Sequence, residues 1–426
     1  MNFSGKKVIV IGKKSSGISV GELLKREGAE ILSVDEKTKA LTAEEIKKYD
    51  LIVPSPGVPP ENRILVEAKK QNKLVLGELE IGCLFLNCKK IMVTGTNGKT
   101  TVVTMIERLL TAAGLRCRSM GNIGYPVSQV VLDGTKLDYA VIEVSSFQLE
   151  YIKELHPDIA VVLNLAPDHL DRYASYDEYV QTKRKLLTNL TASDYYVFNG
   201  EDGAARGFLN GCNAIGVPVS AGRRLSDVYI KDNFFMLGDR SLCHVKAFKL
   251  RGEHNKFNLL TALTVGNLVG VRREHMLRLI KEYTLLPNRI EYVLTLNGVS
   301  FYNDSKGTNP HACARALESV DGRVGLILGG SSKKEDFCEF FENIDKKVVL
   351  IAVTGGNADT IYNAAMKMGF TDIRILPTLA GAVGYLYRSG VVDTVLLSPA
   401  CASFDRYKSY VERGEKFKEA VYALQK

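Results

Sequence analysis

The stretch IMVTGTNGKTT, residues 91–101, runs a β-branched segment into a glycine-bracketed loop, then Lys99, then Thr100 and Thr101 at the start of an apolar helical pattern. A nucleoside triphosphate needs its groups in this order. The backbone N–H groups of Gly95, Thr96, Asn97 and Gly98 face the anion together with the helix N-terminus, Lys99 reaches the terminal phosphates, and Thr100 offers a hydroxyl to Mg2+. The loop is shorter than the usual phosphate loop, with Val93 in the place of its first glycine.

Further groups with chemistry end other apolar strand patterns. Glu143 closes YAVIE, where ligands collect in open parallel sheets, and a carboxylate there needs a partner or a metal. Asp168 and His169 in NLAPDHLDRY are delivered to the same edge; alone, His169 reads as a satisfied structural histidine, and the shared edge raises the alternative of a ligand. In SYDEYVQTKRKLLTNL a period of about 100° per residue aligns Tyr176, Tyr179, Val180, Leu186, Leu187 and Leu190 in one apolar stripe. Lys183 falls near the centre of that stripe and Lys185 points away. Desolvation drives such a lysine towards its neutral amine, the form that reacts with CO2 to give a carbamate anion able to hold metal. On residues alone the ordinary explanation is a snorkelling or ion-paired lysine, with the carbamate as its alternative.

VIGKKSSGIS near the N-terminus is a degenerate dinucleotide fingerprint with Lys14 in the place of its second glycine, and Asp35 ends the next strand, suited to a ribose or base contact. Further on, YNDSKGTNP places Asp304 and Lys306 in a loop after a strand, LGGSSKKEDF places Lys333 at a helix start, and LSPACASFDRYKSY places Ser403 at another. Taken singly each is an ordinary cap or solvated charge.

The elements that must carry these groups fall into three blocks of strand, turn and amphipathic helix, the alternation that builds parallel sheets. A break near Asn87–Lys90 and the stretch TLLPNRIE, where Pro287 stops a helix, divide the chain into residues 1–88, 89–286 and 287–426. With 426 residues, 46% hydrophobic and 24% charged, the composition is that of a multidomain globular protein. No apolar run reaches membrane-spanning length and no secretory signal opens the chain, so a cytoplasmic protein is expected, without membrane insertion. The eight scattered cysteines fit neither a metal cluster nor a disulfide framework. A net charge of +8 comes from dispersed lysines rather than a basic run interleaved with aromatics, which favours a polyanionic small molecule over nucleic acid.

The ordered set GTNGKTT, GNIGYP, EVSSFQLE, DHLDRY with YVQTK, EHNKFN, LPNRIE, NDSKGTN and LSPACASFD resembles the Mur ligases over nearly the whole chain. The resemblance implies an α/β protein of three domains: a Rossmann-like N-terminal domain for a UDP moiety, a central P-loop ATPase domain with a parallel sheet, and a Rossmann-like C-terminal domain for the amino acid. It implies an ATP-dependent acid–amino-acid ligase, active as a monomer, that joins D-glutamate to UDP-MurNAc-L-Ala through an acyl phosphate in peptidoglycan precursor synthesis. The cofactors implied are ATP and two Mg2+ ions. By motif, Lys99, Glu143, His169 and Lys183 form the catalytic set, and Thr100, Glu143, His169 and a carbamate on Lys183 serve the metals. Residues 95–101, Asn255, Asn258, Arg289, Asp304 and Lys306 take ATP. Ser15, Ser16, Asp35, Glu36, Lys37, Gly57 and Asn122 take the UDP substrate, and Lys333, Ser403 and Tyr410 the D-glutamate. A folylpolyglutamate-type ligase and a non-catalytic, nucleotide-gated UDP-sugar sensor are the rival readings.

Overall fold

The computed structural model describes residues 1–35, 41–250, 252–284, 287–331 and 337–425. Among the described residues four sheets follow one another along the sequence. The first is parallel, in the order β2-β1-β3-β4, from β1 (Lys7–Ile11), β2 (Glu30–Val34), β3 (Leu51–Pro54) and β4 (Leu74–Val75). The second is a six-stranded parallel sheet ordered β10-β9-β8-β5-β7-β6. Its strands are β5 (Lys89–Thr94), β6 (Cys117–Gly121), β7 (Tyr139–Glu143), β8 (Ile159–Val162), β9 (Tyr195–Asn199) and β10 (Ile215–Val219). A small antiparallel meander follows, of β11 (Val228–Lys231), β12 (Phe234–Leu237) and β13 (Arg240–His244). The last sheet has the order β14-β15-β19-β16-β17-β18. It comprises β14 (Glu291–Leu296), β15 (Val299–Asn303), β16 (Val324–Leu328), β17 (Val348–Val353), β18 (Ile373–Ile375) and β19 (Thr394–Leu397), parallel except for the hairpin strand β14.

The α/β class with parallel sheets expected from the sequence holds. By contacts the chain forms two compact units, one of Met1–Leu165, Asp177–Ala247 and Phe257–Glu282, the other of Ala166–Tyr176, Phe248–Lys256 and Tyr283–Lys426. The first three sheets belong to the first unit and the last sheet to the second. No described helix is long and apolar enough to cross a membrane.

Within the first unit the helix Glu78–Leu84 is the join between the first two sheets, and it is unusual in burying two carboxylates. Glu80 accepts the backbone N–H groups of Lys153, Glu154 and Leu155 at 3.0, 2.7 and 3.1 Å. Glu78 accepts Ser128 N at 2.7 Å, and burial holds its carboxyl above the usual range. A Cβ on Gly82 would come within 2.9 Å of Ser128 N and the Val127 side chain, so only glycine allows the helix this approach.

The hairpin of β11 and β12, and the strand β14 that forms a hairpin with β15, lie outside the strands read from the sequence. Asp232 and Asn233 turn β11 into β12 with both φ angles positive, and Asn297-Gly298 does the same between β14 and β15, the backbone of two-residue primed turns.

Candidate active site

The phosphate loop grows from β5, whose neighbours β7 and β8 are reached by the chain in opposite directions, so its end is a switch point where ligands bind in open sheets. Val93 is a fully buried strand residue paired with Glu143 and Val161, which is why no glycine is needed there. The true loop residues do require it. Gly95 and Gly98 have φ of +144° and +86°, and a Cβ on Gly98 would lie 2.7 Å from Asn258 Oδ1. The helix Lys99–Ala112 then starts with no acidic residue in its first turn, leaving its positive end for an anion.

Inside this loop Lys99 Nζ donates to the carbonyls of Gly95 and Thr96, both at 2.8 Å. Asn164, which the sequence did not single out, fixes the loop tip. Its Oδ1 accepts Asn97 N and its Nδ2 donates to Asn97 O, each at 2.9 Å. Thr96 Oγ1 is 3.0 Å from the Tyr179 hydroxyl.

Beside the loop, Glu143 is 3% exposed and accepts on both oxygens. Thr100 Oγ1 donates to Oε2 and Asn122 Nδ2 to Oε1, both at 2.7 Å. A hydroxyl and a carboxylate so placed at a phosphate loop are hard oxygen donors of the kind Mg2+ prefers. Among the described residues no three His, Cys, Asp or Glu side chains cluster as a metal cage.

Lys183 is 1% exposed. Its Nζ reaches Gly95 O at 3.0 Å and Thr94 Oγ1 at 3.4 Å, and lies 4.7 Å from the centre of the Tyr179 ring. The stripe argument thus put the lysine on the right face, with one error of register. The α-helix ends at Arg184, a 3-10 turn covers Lys185–Leu187, and Tyr176 is exposed rather than part of the stripe. Tyr179, Val180, Leu186, Leu187 and Leu190 are buried.

The structure therefore gathers Lys99, Thr100, Asn122, Glu143 and Lys183 around one loop. His169 falls in the second unit, in the left-handed region with φ of +57°. Its Nε2 is 3.8 Å from Asp168 Oδ2, and Asn309 Nδ2 donates to that same oxygen at 3.1 Å.

Of the remaining nucleotide candidates the second unit holds Asn255, Arg289, Asp304 and Lys306, and the first unit Asn258. Asp304 is buried, accepts Ser398 Oγ at 2.7 Å, and burial pushes its carboxyl up to about 7, partly opposed by the Ser398 bond and by Arg289 and Arg413. Among the described residues the Nε of Arg289 has no hydrogen-bond partner, and neither has Nδ1 of His254, a residue the sequence reading passed over. Burial, with Arg315, Arg289 and His311 nearby, lowers His254 to about 4, so it is neutral at pH 7. Asn255 and Asn258 are buried on the helix Glu253–Leu268. Lys306 Nζ lies 5.2 Å from the Tyr410 ring centre, while Ser403 is buried and its carbonyl accepts Tyr407 N at 2.9 Å. Lys333 lies outside the described residues.

For the UDP candidates, a Cβ on Gly17 would run into Gly12 O, so the helix Ser15–Arg26 packs on its strand only through glycine. Lys14 is the N-cap residue and makes no side-chain cap bond, and Ser15 O and Ser16 O accept Ser19 Oγ. The Ser55 hydroxyl beside them is buried without a partner among the described residues, a group the sequence reading missed. Asp35 is exposed, nothing lies within 4 Å of a Cβ built on Gly57, and Glu36 and Lys37 lie outside the described residues.

Residues 93–266 match the Mur ligase middle domain, and residues 288–401 the Mur ligase glutamate ligase domain. Over 449 residues the chain is 34% identical to UDP-N-acetylmuramoylalanine--D-glutamate ligase of Geotalea uraniireducens, covering 100% of this chain and 99% of that protein. It is 35% identical to the protein of that name from Thermoanaerobacter pseudethanolicus, with 100% of both covered. Among solved structures it is similar to MurF ligase from Thermotoga maritima, TM-score 0.61 at 17% identity over 99% of this chain and 96% of that one. Folylpolyglutamate synthase from Mycobacterium tuberculosis has TM-score 0.60 at 16% identity, over 80% and 91%. At such identities these structures share the fold alone.

Proposed function

The chain belongs to the Mur ligase family, and from that premise we propose that it uses ATP to join D-glutamate to the carboxylate of UDP-N-acetylmuramoyl-L-alanine. The observation that carries the reading is the meeting of Lys99, Thr100 and Glu143 at the end of β5. It stands in a chain similar over its full length to proteins named as D-glutamate ligases.

A free carboxylate is a poor acyl donor. Transfer of the terminal phosphoryl group of ATP to a carboxylate oxygen forms a P–O bond, releases ADP and leaves an acyl phosphate. The loop N–H groups and Lys99 offset the charge gathering on the phosphoryl group, and the fixed backbone does so without reorganising. The amine of D-glutamate then attacks the acyl carbon, loses a proton, and expels phosphate as the amide forms. Thr100 and Glu143 would hold Mg2+, which supplies positive charge at the phosphates. We assign a second ion to His169 and a carbamate on Lys183. The support is a deeply buried lysine beside the loop, which CO2 would convert from a desolvated cation to an anion.

In this reading residues 1–88 bind the UDP portion with Ser15, Ser16, Asp35, Glu36, Lys37 and Gly57, and Asn122 lines the muramoyl side. Residues 89–286 bind ATP, and 287–426 carry Lys333, Ser403 and Tyr410 for the amino acid, with Arg289, Asp304 and Lys306 assigned to the nucleotide. The protein is assigned as a cytoplasmic monomer. Phosphate release with UDP-N-acetylmuramoyl-L-alanine set against a folate acceptor, each with D- and with L-glutamate, tests the assignment. Release that requires the muramoyl acceptor and the D-amino acid supports it, and release with folate and L-glutamate refutes it.

A further inference from the structure

Arg413, on the helix Tyr410–Ala423, is a buried cation whose contacts are all to neutral oxygens. Its Nε donates to Ser305 Oγ at 3.0 Å and its Nη2 to Ser305 O at 2.8 Å. Its Nη1 is shared among the carbonyls of Gly329, Cys401 and Ala402 at 3.3, 3.1 and 3.3 Å. These acceptors follow β15, β16 and β19, three neighbouring strands whose C-terminal ends form the ligand-binding edge of such a sheet.

The fold makes room for this side chain. A Cβ on Gly330 would lie 3.0 Å from Arg413 Nη1, and one on Gly414 would collide with Asn288 Oδ1. The loops it touches also touch each other, since Ser331 N donates to Ala402 O at 2.9 Å. Burying a guanidinium is costly, and burial indeed lowers its proton affinity, to about 10. A structural staple of the same reach could be built from neutral groups. The guanidinium is in no ion pair among the described residues, though Asp405 and Asp304 lie close enough to act on it, and its charge sits under the loops that carry Asp304, Lys306 and Ser403.

We propose that Arg413 is the positioning residue of the amino-acid pocket, fixing three strand-end loops in register and biasing them electrostatically towards a dicarboxylic amino acid. It touches no reactant. The inference rests on the reading that this unit receives D-glutamate.

The test is steady-state phosphate release by the full chain with the wild type, Arg413→Lys and Ser305→Ala, with thermal unfolding as a check on the fold. The wild type must first show release that depends on D-glutamate; without it the functional reading itself fails. Arg413→Lys keeps the charge but can serve only part of the acceptors. Its KM for D-glutamate is expected to rise about tenfold or more, with the KM for the UDP substrate held within about twofold. An unchanged D-glutamate KM, or both constants rising together, overturns the proposal. Should Arg413→Lys fail to fold, Ser305→Ala carries the test. It removes one acceptor, and its D-glutamate KM should rise about threefold; a wild-type value overturns the proposal.

Discussion

The Thr100 hydroxyl donates to Glu143 Oε2 at 2.7 Å, joining the first turn of the loop helix to the tip of β7. Because Val93 and Glu143 are register partners, the sheet itself sets this distance. Glu143→Gln keeps the shape and an acceptor oxygen while removing the charge that would draw a cation. The Mg2+ concentration for half-maximal activity should rise about tenfold or more, and kcat fall about 100-fold, with unfolding nearly unchanged. A magnesium titration checks this; a wild-type curve would remove Glu143 from the metal site.

Lys183 contributes to the reaction, in this account, as a carbamate rather than as an ammonium. Lys183→Arg preserves a cation of similar reach but cannot be carbamylated, so activity should drop about 100-fold or more and bicarbonate should not restore it. NMR with isotopically labelled bicarbonate should show a carbamate signal in the wild type that is missing from the variant. A variant that turns over at the wild-type rate, or a wild type without that signal, would return Lys183 to an ordinary loop contact.

Much of this centre was legible because strand, glycine loop, lysine and hydroxyl are adjacent in the chain and obey local rules. Glu143 and Lys183 were legible for a second reason: a charged group at an apolar position is a misfit that periodicity exposes. What escaped was of two kinds. Asn164, Ser55 and Arg413 owe their roles to partners that only the folded sheets bring near, so no spacing announces them. The hairpins at Asp232-Asn233 and Asn297-Gly298 did carry a signal, but it was overridden by the stronger rhythm of the parallel blocks. Tyr176 was misplaced because it is the first residue of its helix, where the apolar face opens to solvent.

Asp304 provides a pH signature. Its folded value, about 7, lies above the unfolded 3.8, so the folded state binds more protons in that window and stability falls as pH rises through it. Asp304→Asn removes the effect. Relative to wild type the variant should gain stability from about pH 4 to about pH 7, by up to about 4 kcal/mol, and no more above that. Paired unfolding curves across pH measure the difference; a constant offset would show that the carboxyl is not raised.

His254 acts with the opposite sign. Its folded value of about 4 lies below the unfolded 6.5, so the unfolded state takes up the proton first and stability is lost as pH falls through that interval. His254→Gln should therefore gain on wild type only on the acid side of about pH 6.5, which the same curves would reveal. A gain confined to alkaline pH would contradict the assignment.

Glu80 tests the join within the first unit. Glu80→Ala strands the backbone N–H groups of Lys153, Glu154 and Leu155, at a cost of about 3 kcal/mol or more. Urea unfolding should show a clear drop in midpoint, whereas a change below about 0.5 kcal/mol would mean that water replaces the carboxylate.

The central claim is that the acceptor's own carboxylate is phosphorylated before the amide forms. Preparing UDP-N-acetylmuramoyl-L-alanine with heavy oxygen in that carboxylate, and analysing the phosphate released with ATP, Mg2+ and D-glutamate, tests it directly. The account predicts that each turnover moves one heavy oxygen atom into phosphate. Amide product accompanied by unlabelled phosphate would contradict it.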